Sequence, residues 1–332
     1  MELLCRLNKS VALNVARHSQ IYKIIMLKER IGSRKSGYLF YGLTPPKLKT
    51  DKQKVRVIAN KQIERLRGLD IDAIVLYDLQ DESARTDIPR PFPFLQTIAP
   101  DDYSKLYLDD LKVPKIIYKS VGKYSAHELK SWIEHSSDSI DCSVFVGSPS
   151  KDMVLNLSLN DAYKIKQDSG SSIKLGGVAI PERHVNKGDE HIRLFDKVDK
   201  GCSFFISQCV YSVNNTKDFL SDYYYTSIET NRDLVPIIFT LTPCGSLKTL
   251  QFLEWLGIDI PTWLKNDLMH SKNILSKSID ICKRIAVELI DFSTSKNIPI
   301  GFNIESVSIR KEEIDASIEL LKSVREMMDD VG

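Results

Sequence analysis

Short apolar runs recur along this chain and alternate with longer stretches in which apolar residues follow a helical period. The runs are rich in β-branched and aromatic residues and stay apolar throughout, which is typical of strands covered on both faces of a parallel sheet. Eight strands are predicted in this way: Tyr38–Leu43, Ala73–Asp78, Pro114–Ser120, Ser143–Ser148, Lys174–Ile180, Cys202–Gln208, Val235–Leu241 and Pro299–Ser306.

Predicted helices separate these strands. The most distinct are Asp51–Leu69, Ser125–Glu134, Asp189–Lys200 and Ile260–Lys296, with Ile309–Met328 after the last strand. Most strands begin roughly 30 to 40 residues after the one before, the spacing of a βα unit. Eight such units close most economically into a (β/α)8 barrel, the TIM barrel. A doubly wound open sheet is the alternative, because the pattern does not reveal strand order. No predicted strand is followed by the glycine-rich phosphate-binding turn of open-sheet nucleotide binders, so the barrel is favoured.

The first 35 residues differ from the rest of the chain. They are rich in Lys and Arg and poor in acidic residues, a weak resemblance to a transit peptide. Apolar residues from Val11 to Ile31 are also spaced to line a helix packed on the domain. We favour the second interpretation and predict an N-terminal helical extension over 1–35. No linker or change of composition divides the remainder, so a single barrel domain is predicted over 36–330.

The composition of the chain limits which partners and which cellular compartment are expected. The 46 basic and 44 acidic side chains give a formal net charge of +2, so bulk charge does not indicate a nucleic-acid partner. No apolar run approaches the roughly 20 residues of a membrane span, and no membrane partner is predicted. Six scattered cysteines without CxxC spacing are typical of reduced thiols and predict a cytoplasmic protein. Homo-oligomerisation stays open.

Polar residues at the predicted strand ends are the candidates for chemistry, because the active sites of parallel barrels lie where the strands end. The candidate ligand-binding residues there are Asp78, Asp81, Glu82, Ser148, Gln208 and Glu305. Glu305 stands out because its strand is otherwise apolar. A buried carboxylate needs a partner, which is either a ligand or a barrel lysine such as Lys119 or Lys197. Glu305 and Asp78 are the candidate catalytic acids.

Two histidines suggest a metal site at first sight. His184 and His191 flank Asp189 and Glu190, but their spacing matches no zinc signature. The stretch has the pattern of a loop leading into a helix cap. The sequence therefore predicts no metal.

Four segments carry a resemblance to a known family, and they occur in the family's order. They are GGVAIPERH (Gly176–His184), LFDKVDKGCSFFISQCVY (Leu194–Tyr211), VPIIFTLTP (Val235–Pro243) and LGIDIPTWL (Leu256–Leu264). Together they resemble methylenetetrahydrofolate reductase, the flavin-dependent TIM barrel of one-carbon metabolism. The match is good from about residue 140 to 270 and collinear elsewhere, with Thr44–Lys47 standing for a proline-rich first-strand motif.

The resemblance carries some functional residues over and not others. His184 and Lys197 fall on positions that contact the flavin, and Gln208 falls on one that contacts the folate. An imidazole and an ammonium suit flavin ribityl or phosphate oxygens, and an amide suits a pterin edge. The family's catalytic glutamate, by contrast, falls on Gly42. Its Arg-Gly-Asp strand end reads Val146, Gly147 and Ser148, and its motif tyrosine is Ile180.

These losses concern the chemistry more than the fold. A missing general acid costs about 10²- to 10⁴-fold in rate, and Gly42 has no side chain that donates a proton. The resemblance therefore implies a barrel that binds a reduced folate, 5-methyl- or 5,10-methylenetetrahydrofolate, in one-carbon metabolism and methionine biosynthesis. Asp78, Asp81, Glu82 or Glu305 would hold the pterin, and Arg85, Arg90 or Lys119 would meet the glutamate tail.

Two alternatives stay open. In one, the chain is an active oxidoreductase, an FAD-dependent reductase whose general acid has moved to one of these carboxylates. In the other, the barrel is a binding or regulatory subunit without folate. The presence of FAD is open for the same reason, and the lost flavin contacts argue against it.

Overall fold

Eight parallel strands form a closed barrel in the computed structural model, which describes residues 27–83, 86–136, 140–148 and 155–330. Each strand pairs with the next in sequence, and β8 pairs back with β1. The strands are β1 Tyr38–Leu43, β2 Ala73–Leu76, β3 Lys115–Ser120, β4 Cys142–Val146, β5 Lys174–Ala179, β6 Cys202–Cys209, β7 Ile237–Leu241 and β8 Ile300–Glu305. The predicted TIM barrel is confirmed, and the open sheet is wrong.

Helices surround the barrel. They are α1 Lys52–Leu66, α2 Pro100–Tyr107, α3 Ala126–Ser136, α4 Leu159–Asp168, α5 Pro181–Lys187, α6 Glu190–Asp199, α7 Val213–Glu229, α8 Leu247–Trp255, α9 Thr262–Met269, α10 Ile274–Thr294 and α11 Lys311–Asp329. The stretch predicted to be helical over Ile260–Lys296 is interrupted. It is two helices, because the Asn273 side chain accepts a hydrogen bond from the Ser276 amide and starts α10 afresh.

Two apolar layers hold the barrel together. The larger lies between the outer face of the strands and the helices, with Phe205, Phe239 and Leu289 among its members. The smaller fills the barrel interior with side chains such as Phe40 and Phe204. Because interior and exterior residues alternate along each strand, the two layers come from adjacent positions of the same runs. The barrel interior is filled by apolar side chains. The candidate functional residues therefore lie at the carboxyl ends of the strands.

A short helix over residues 27–32 closes the amino-terminal end of the barrel. Leu27 and Ile31 join the interior cluster beside Tyr38. The Arg30 guanidinium lies 4.6 Å from the centre of the Tyr38 ring and 2.6 Å from an oxygen of Asp72. This helix falls within the N-terminal helical extension predicted over 1–35, which stays a prediction because residues 1–26 lie outside the described part of the chain. No helix among the described residues is long and apolar enough to cross a membrane.

Candidate ligand site at the carboxyl end of the barrel

Glu305 is the centre of a polar network that spans four strands at the carboxyl end of the barrel. It is the last residue of β8, and its oxygen Oε1 accepts a hydrogen bond from the Cys209 thiol of β6 at 3.3 Å. The Tyr77 hydroxyl, just after β2, also bonds the Glu305 carboxylate. Asn303 of β8 donates to the Tyr77 oxygen at 2.8 Å and to the Thr240 hydroxyl of β7 at 3.2 Å. The network fixes one carboxylate at the barrel mouth.

Gly42 makes room for this arrangement. It pairs with Glu305 in the register of β1 and β8. A Cβ atom at residue 42 would lie 2.8 Å from the Tyr77 hydroxyl oxygen and 2.9 Å from the Glu305 Cβ. The volume that a side chain would need at this position is therefore filled by Tyr77 and Glu305. The carboxylate missing from β1 is replaced by one on the neighbouring strand at the same level.

The electrostatics of the network leave Glu305 as its titrating group. Burial raises the pKa of Glu305, although the hydrogen bonds from Tyr77 and Cys209 oppose that shift. Burial and the negative charge of Glu305 hold the pKa values of Tyr77 and Cys209 well above their ordinary range. Tyr77 and Cys209 therefore stay protonated and act as donors to the carboxylate.

The lysine partners proposed for Glu305 are engaged elsewhere. Lys119 lies outside the barrel, 3.5 Å from Asp101, with its ammonium over the rings of Tyr124 and Trp132. Lys197 donates to the Val178 carbonyl at 2.6 Å. The prediction of a salt bridge from Glu305 to either lysine is therefore wrong. Lys119 also faces away from the mouth, where the tail of a ligand would lie.

The other predicted carboxylates have local partners. Asp78 accepts from the Ser120 amide at 2.8 Å and from the Lys123 ammonium at 2.6 Å, so it joins the end of β2 to the end of β3. Asp81 is exposed and caps Ser83, whose amide lies 2.9 Å away. The substrate-binding roles of Asp78 and Asp81 stay predictions. The contacts of Asp78 in this structure connect two strand ends.

The loop after β2 carries Glu82 and Arg90 and contacts α8. The Trp255 indole of α8 donates to the Ile88 carbonyl at 2.9 Å. The Arg90 guanidinium lies 5.1 Å and 5.2 Å from the ring centres of Phe252 and Trp255, and the charge of Glu82 acts on it. These contacts join the loop to α8, while Arg85 lies outside the described residues.

Three further polar residues line the same end. Gln208 donates through Nε2 to the Leu256 carbonyl at 2.7 Å, which ties the segment after α8 to β6. Ser148 is half-buried just beyond β4. Glu182 is buried at the start of α5, and burial raises its pKa to about 7. Its charge contributes to the raised pKa of Cys209, so it faces the same network.

The sequence did not indicate Tyr77, Cys209 or Asn303. A tyrosine or cysteine within an apolar run has the pattern of a core residue, and only closure of the barrel brings these side chains together. Asn303 carried a weak signal, because an amide inside a buried strand needs hydrogen-bond partners.

The two predicted flavin contacts lie in the helical layer. The His184 Nε2 atom is 3.1 Å from an Asp222 oxygen on α7. The Lys197 ammonium is hydrogen-bonded to the backbone of β5 and lies 5.8 Å from the Phe205 ring centre, on the outer face of the barrel. Val146 offers no cation at the end of β4. These residues do not fit a flavin held in the family's manner, and the flavin-binding roles of His184 and Lys197 stay predictions.

Fold and site together define a TIM-barrel protein with a polar ligand site at its carboxyl end. The family model for methylenetetrahydrofolate reductase matches residues 150–302. A solved structure of a Clostridium thermocellum protein that binds two copies of 5-methyl-5,6,7,8-tetrahydrofolic acid is 52% identical. That match covers 90% of this chain and 99% of the other, with a TM-score of 0.80. This chain belongs to the methylenetetrahydrofolate reductase family, as a divergent member.

Other matches are distant. A structure of 2,3-dimethylmalate lyase is 11% identical, covers 93% of this chain and 98% of its own, and has a TM-score of 0.42. Nothing about this chain follows from a match at that distance. No curated protein matches the sequence.

Proposed function

We propose that this protein binds 5-methyltetrahydrofolate at the carboxyl end of its barrel, with Glu305 holding the pterin ring, and that it does so without flavin-dependent reduction. The observation that carries the proposal is the position of Glu305. Its carboxylate lies beside Gly42, where the family has its glutamate, and is oriented by Tyr77 and Cys209.

The chemistry of the pterin fits one fixed carboxylate. The ring presents its N3–H and 2-amino donors side by side, a pair that two carboxylate oxygens accept together. The Tyr118 ring packs edge-on against Tyr77 at 4.9 Å, so the donors to Glu305 have an apolar wall behind them. A charged hydrogen bond in such surroundings contributes about 1.5–3 kcal/mol.

The relative supports the choice of ligand. A protein that is 52% identical over 90% of this chain binds two copies of the 5-methyl form. This favours 5-methyltetrahydrofolate over the methylene form. We extend the proposal to a cytoplasmic place in one-carbon metabolism, on the branch that supplies methyl groups for methionine biosynthesis.

A working reductase is the second candidate, and the same residue favours it. Glu305 is beside the position of the missing acid, and its raised pKa suits a proton donor. The missing flavin contacts at Val146 and in the helical layer argue against it. The two candidates differ in whether the protein retains FAD.

Isothermal titration with 5-methyltetrahydrofolate tests the binding proposal. Glu305→Gln should weaken affinity by about 1.5–3 kcal/mol, roughly 10- to 150-fold, because a charged acceptor is lost. Gln208→Ala should weaken it about fivefold, the value of one ordinary hydrogen bond. Glu312→Gln, an exposed carboxylate on α11, is the matched control. Unchanged affinity in Glu305→Gln with an intact thermal transition would refute the role of Glu305.

A visible absorption spectrum separates the two candidates. The purified protein is measured before and after incubation with FAD and gel filtration. We expect no flavin band after the column. A retained band would overturn the flavin-free proposal and make Glu305 the candidate acid of an active reductase.

A further inference from the structure

Two histidines and an aspartate from three helices meet outside the barrel. His184 of α5, His191 of α6 and Asp222 of α7 each place a ligand-type atom within 4.8 Å of the other two. The His184 Nε2 atom is 3.1 Å from an Asp222 oxygen, and the two imidazole rings pack edge to face at 5.3 Å. The three residues are separated by up to 38 positions in sequence, so no spacing motif reveals them.

The histidines are buried without a full set of partners. His184 and His191 are 7% and 8% exposed. The Nδ1 atom of each ring is buried and makes no hydrogen bond within the described residues. A buried polar atom without a hydrogen-bond partner destabilises a folded protein. Two of them side by side indicate a site that is completed by something else.

The surroundings suit a cation. The nearby cations are already paired, since Arg183 lies 3.1 Å from Glu190 and Arg193 lies 3.0 Å from Asp189. The Asp222 carboxylate therefore remains as the charged group of the cluster, and the Phe219 ring forms an apolar wall 5.9 Å from His184.

We propose that His184, His191 and Asp222 form a binding site for a divalent transition metal, Zn²⁺ being the best match. Imidazole and carboxylate ligands suit Zn²⁺, Co²⁺ and Ni²⁺, whereas Mg²⁺ and Ca²⁺ prefer oxygen ligands throughout. The Asp222 side chain is 55% exposed, so water completes the coordination from outside. The ion clamps α5, α6 and α7 together.

The clamp acts on the segment that reaches the barrel mouth. Glu182 begins α5 and faces Cys209, while His184 lies on the other side of the same helix. A metal bound to His184 would fix the position of α5, and it would thereby fix the position of Glu182 on the opposite side of that helix. This role does not depend on which ligand the barrel binds.

The test uses the full chain after treatment with EDTA. Titration with Co²⁺, followed by visible absorption, and calorimetry with Zn²⁺ alone should each give one equivalent per chain. The spectrum should lack the intense thiolate-to-cobalt band, which separates this site from the cysteines. Asp222→Asn and His191→Gln should each weaken binding by more than about 100-fold, beyond the cost of an outer-shell change.

Asp218→Asn is the matched control, because Asp218 is an exposed carboxylate one turn earlier on α7. It should bind the metal as the unaltered chain does, and Zn²⁺ should raise the thermal midpoint of both but not of Asp222→Asn. That comparison keeps the test valid if His191→Gln fails to fold. Absence of binding, or equal loss in Asp218→Asn and Asp222→Asn, would overturn the proposal and leave His184 and Asp222 as a hydrogen-bonded pair only.

Discussion

At each end of the barrel a glycine allows a tyrosine to pack closely, but the surroundings of the two tyrosines differ. At the amino-terminal end, Gly301 of β8 pairs with Tyr38 of β1, and a Cβ on Gly301 would lie 2.6 Å from the Tyr38 Cβ and carbonyl oxygen. At the carboxyl end, Gly42 of β1 pairs with Glu305 of β8 and admits Tyr77. In both places a glycine between β1 and β8 makes room for a tyrosine.

The two tyrosines differ in the polarity of their surroundings. Tyr38 is fully buried among apolar side chains and sealed by the short helix over residues 27–32. Tyr77 meets a carboxylate, an amide and a thiol at the open end. Close apolar packing stabilises the amino-terminal end, whereas the carboxyl end buries polar groups, which is where parallel barrels place their active sites.

The largest effect is expected from Gly301→Ala. The added methyl group meets backbone atoms of Tyr38, which cannot move without shifting β1, so we expect a loss of about 3 kcal/mol or more in the free energy of unfolding. Chemical denaturation measures it. Folate affinity of the folded fraction should stay unchanged, and a parallel loss of affinity would show that the two ends are not independent.

Gly42→Ala should produce the reverse pattern. Its methyl group meets the far end of Tyr77 and the Glu305 side chain rather than backbone. Both side chains shift, so we expect affinity for 5-methyltetrahydrofolate to fall about tenfold, the loss of roughly one well-placed hydrogen bond. The loss of stability should be smaller than in Gly301→Ala. Folate titration and chemical denaturation of the two variants measure both effects. Equal losses of stability in Gly42→Ala and Gly301→Ala would contradict the proposed difference between the two ends of the barrel.

The last effect is a pH dependence, which changes no residue and concerns the carboxyl end alone. Because the pKa of Glu305 is raised, the folded protein without ligand holds a proton that the unfolded chain has released, so its stability falls as pH rises between the ordinary and the raised pKa. The proposed pterin contact needs the ionised carboxylate of Glu305. Affinity should therefore fall as pH drops through the raised pKa, by up to about tenfold per unit.

Titrations over a pH series measure this dependence, with Glu305→Gln as the control. The control should be flat over the same range. A wild-type profile as flat as that of Glu305→Gln would mean that another group holds the pterin.

The fold was predictable because its signal is local. A run such as Val235–Leu241 is apolar over its whole length, and each such run is read without knowledge of its neighbours. Glu305 was predictable for the same reason, as a charge in an apolar strand. The position of the helix break near Asn273 could not be predicted, because a capping interaction has little effect on the spacing of apolar residues.

The remainder of the site depends on contacts made only when the barrel closes. Tyr77 and Cys209 reach Glu305 from distant strands, and nothing in their own runs marks them. Asp78 shows a further limit of the pattern, since its bond to the Ser120 amide of β3 was not indicated by its position at a strand end, and its role toward a ligand stays a prediction. Asp222 lies on a helix that offered no motif, so the spacing of the two histidines alone predicted no metal.

The space beside Gly42 also limits which substitutions this end of the barrel tolerates. A glutamate introduced at residue 42 would collide with the Tyr77 hydroxyl and with Glu305, and it would set two carboxylates side by side in a buried network. A large side chain at residue 42 therefore requires simultaneous changes at Tyr77 and Glu305, so the three positions constrain one another.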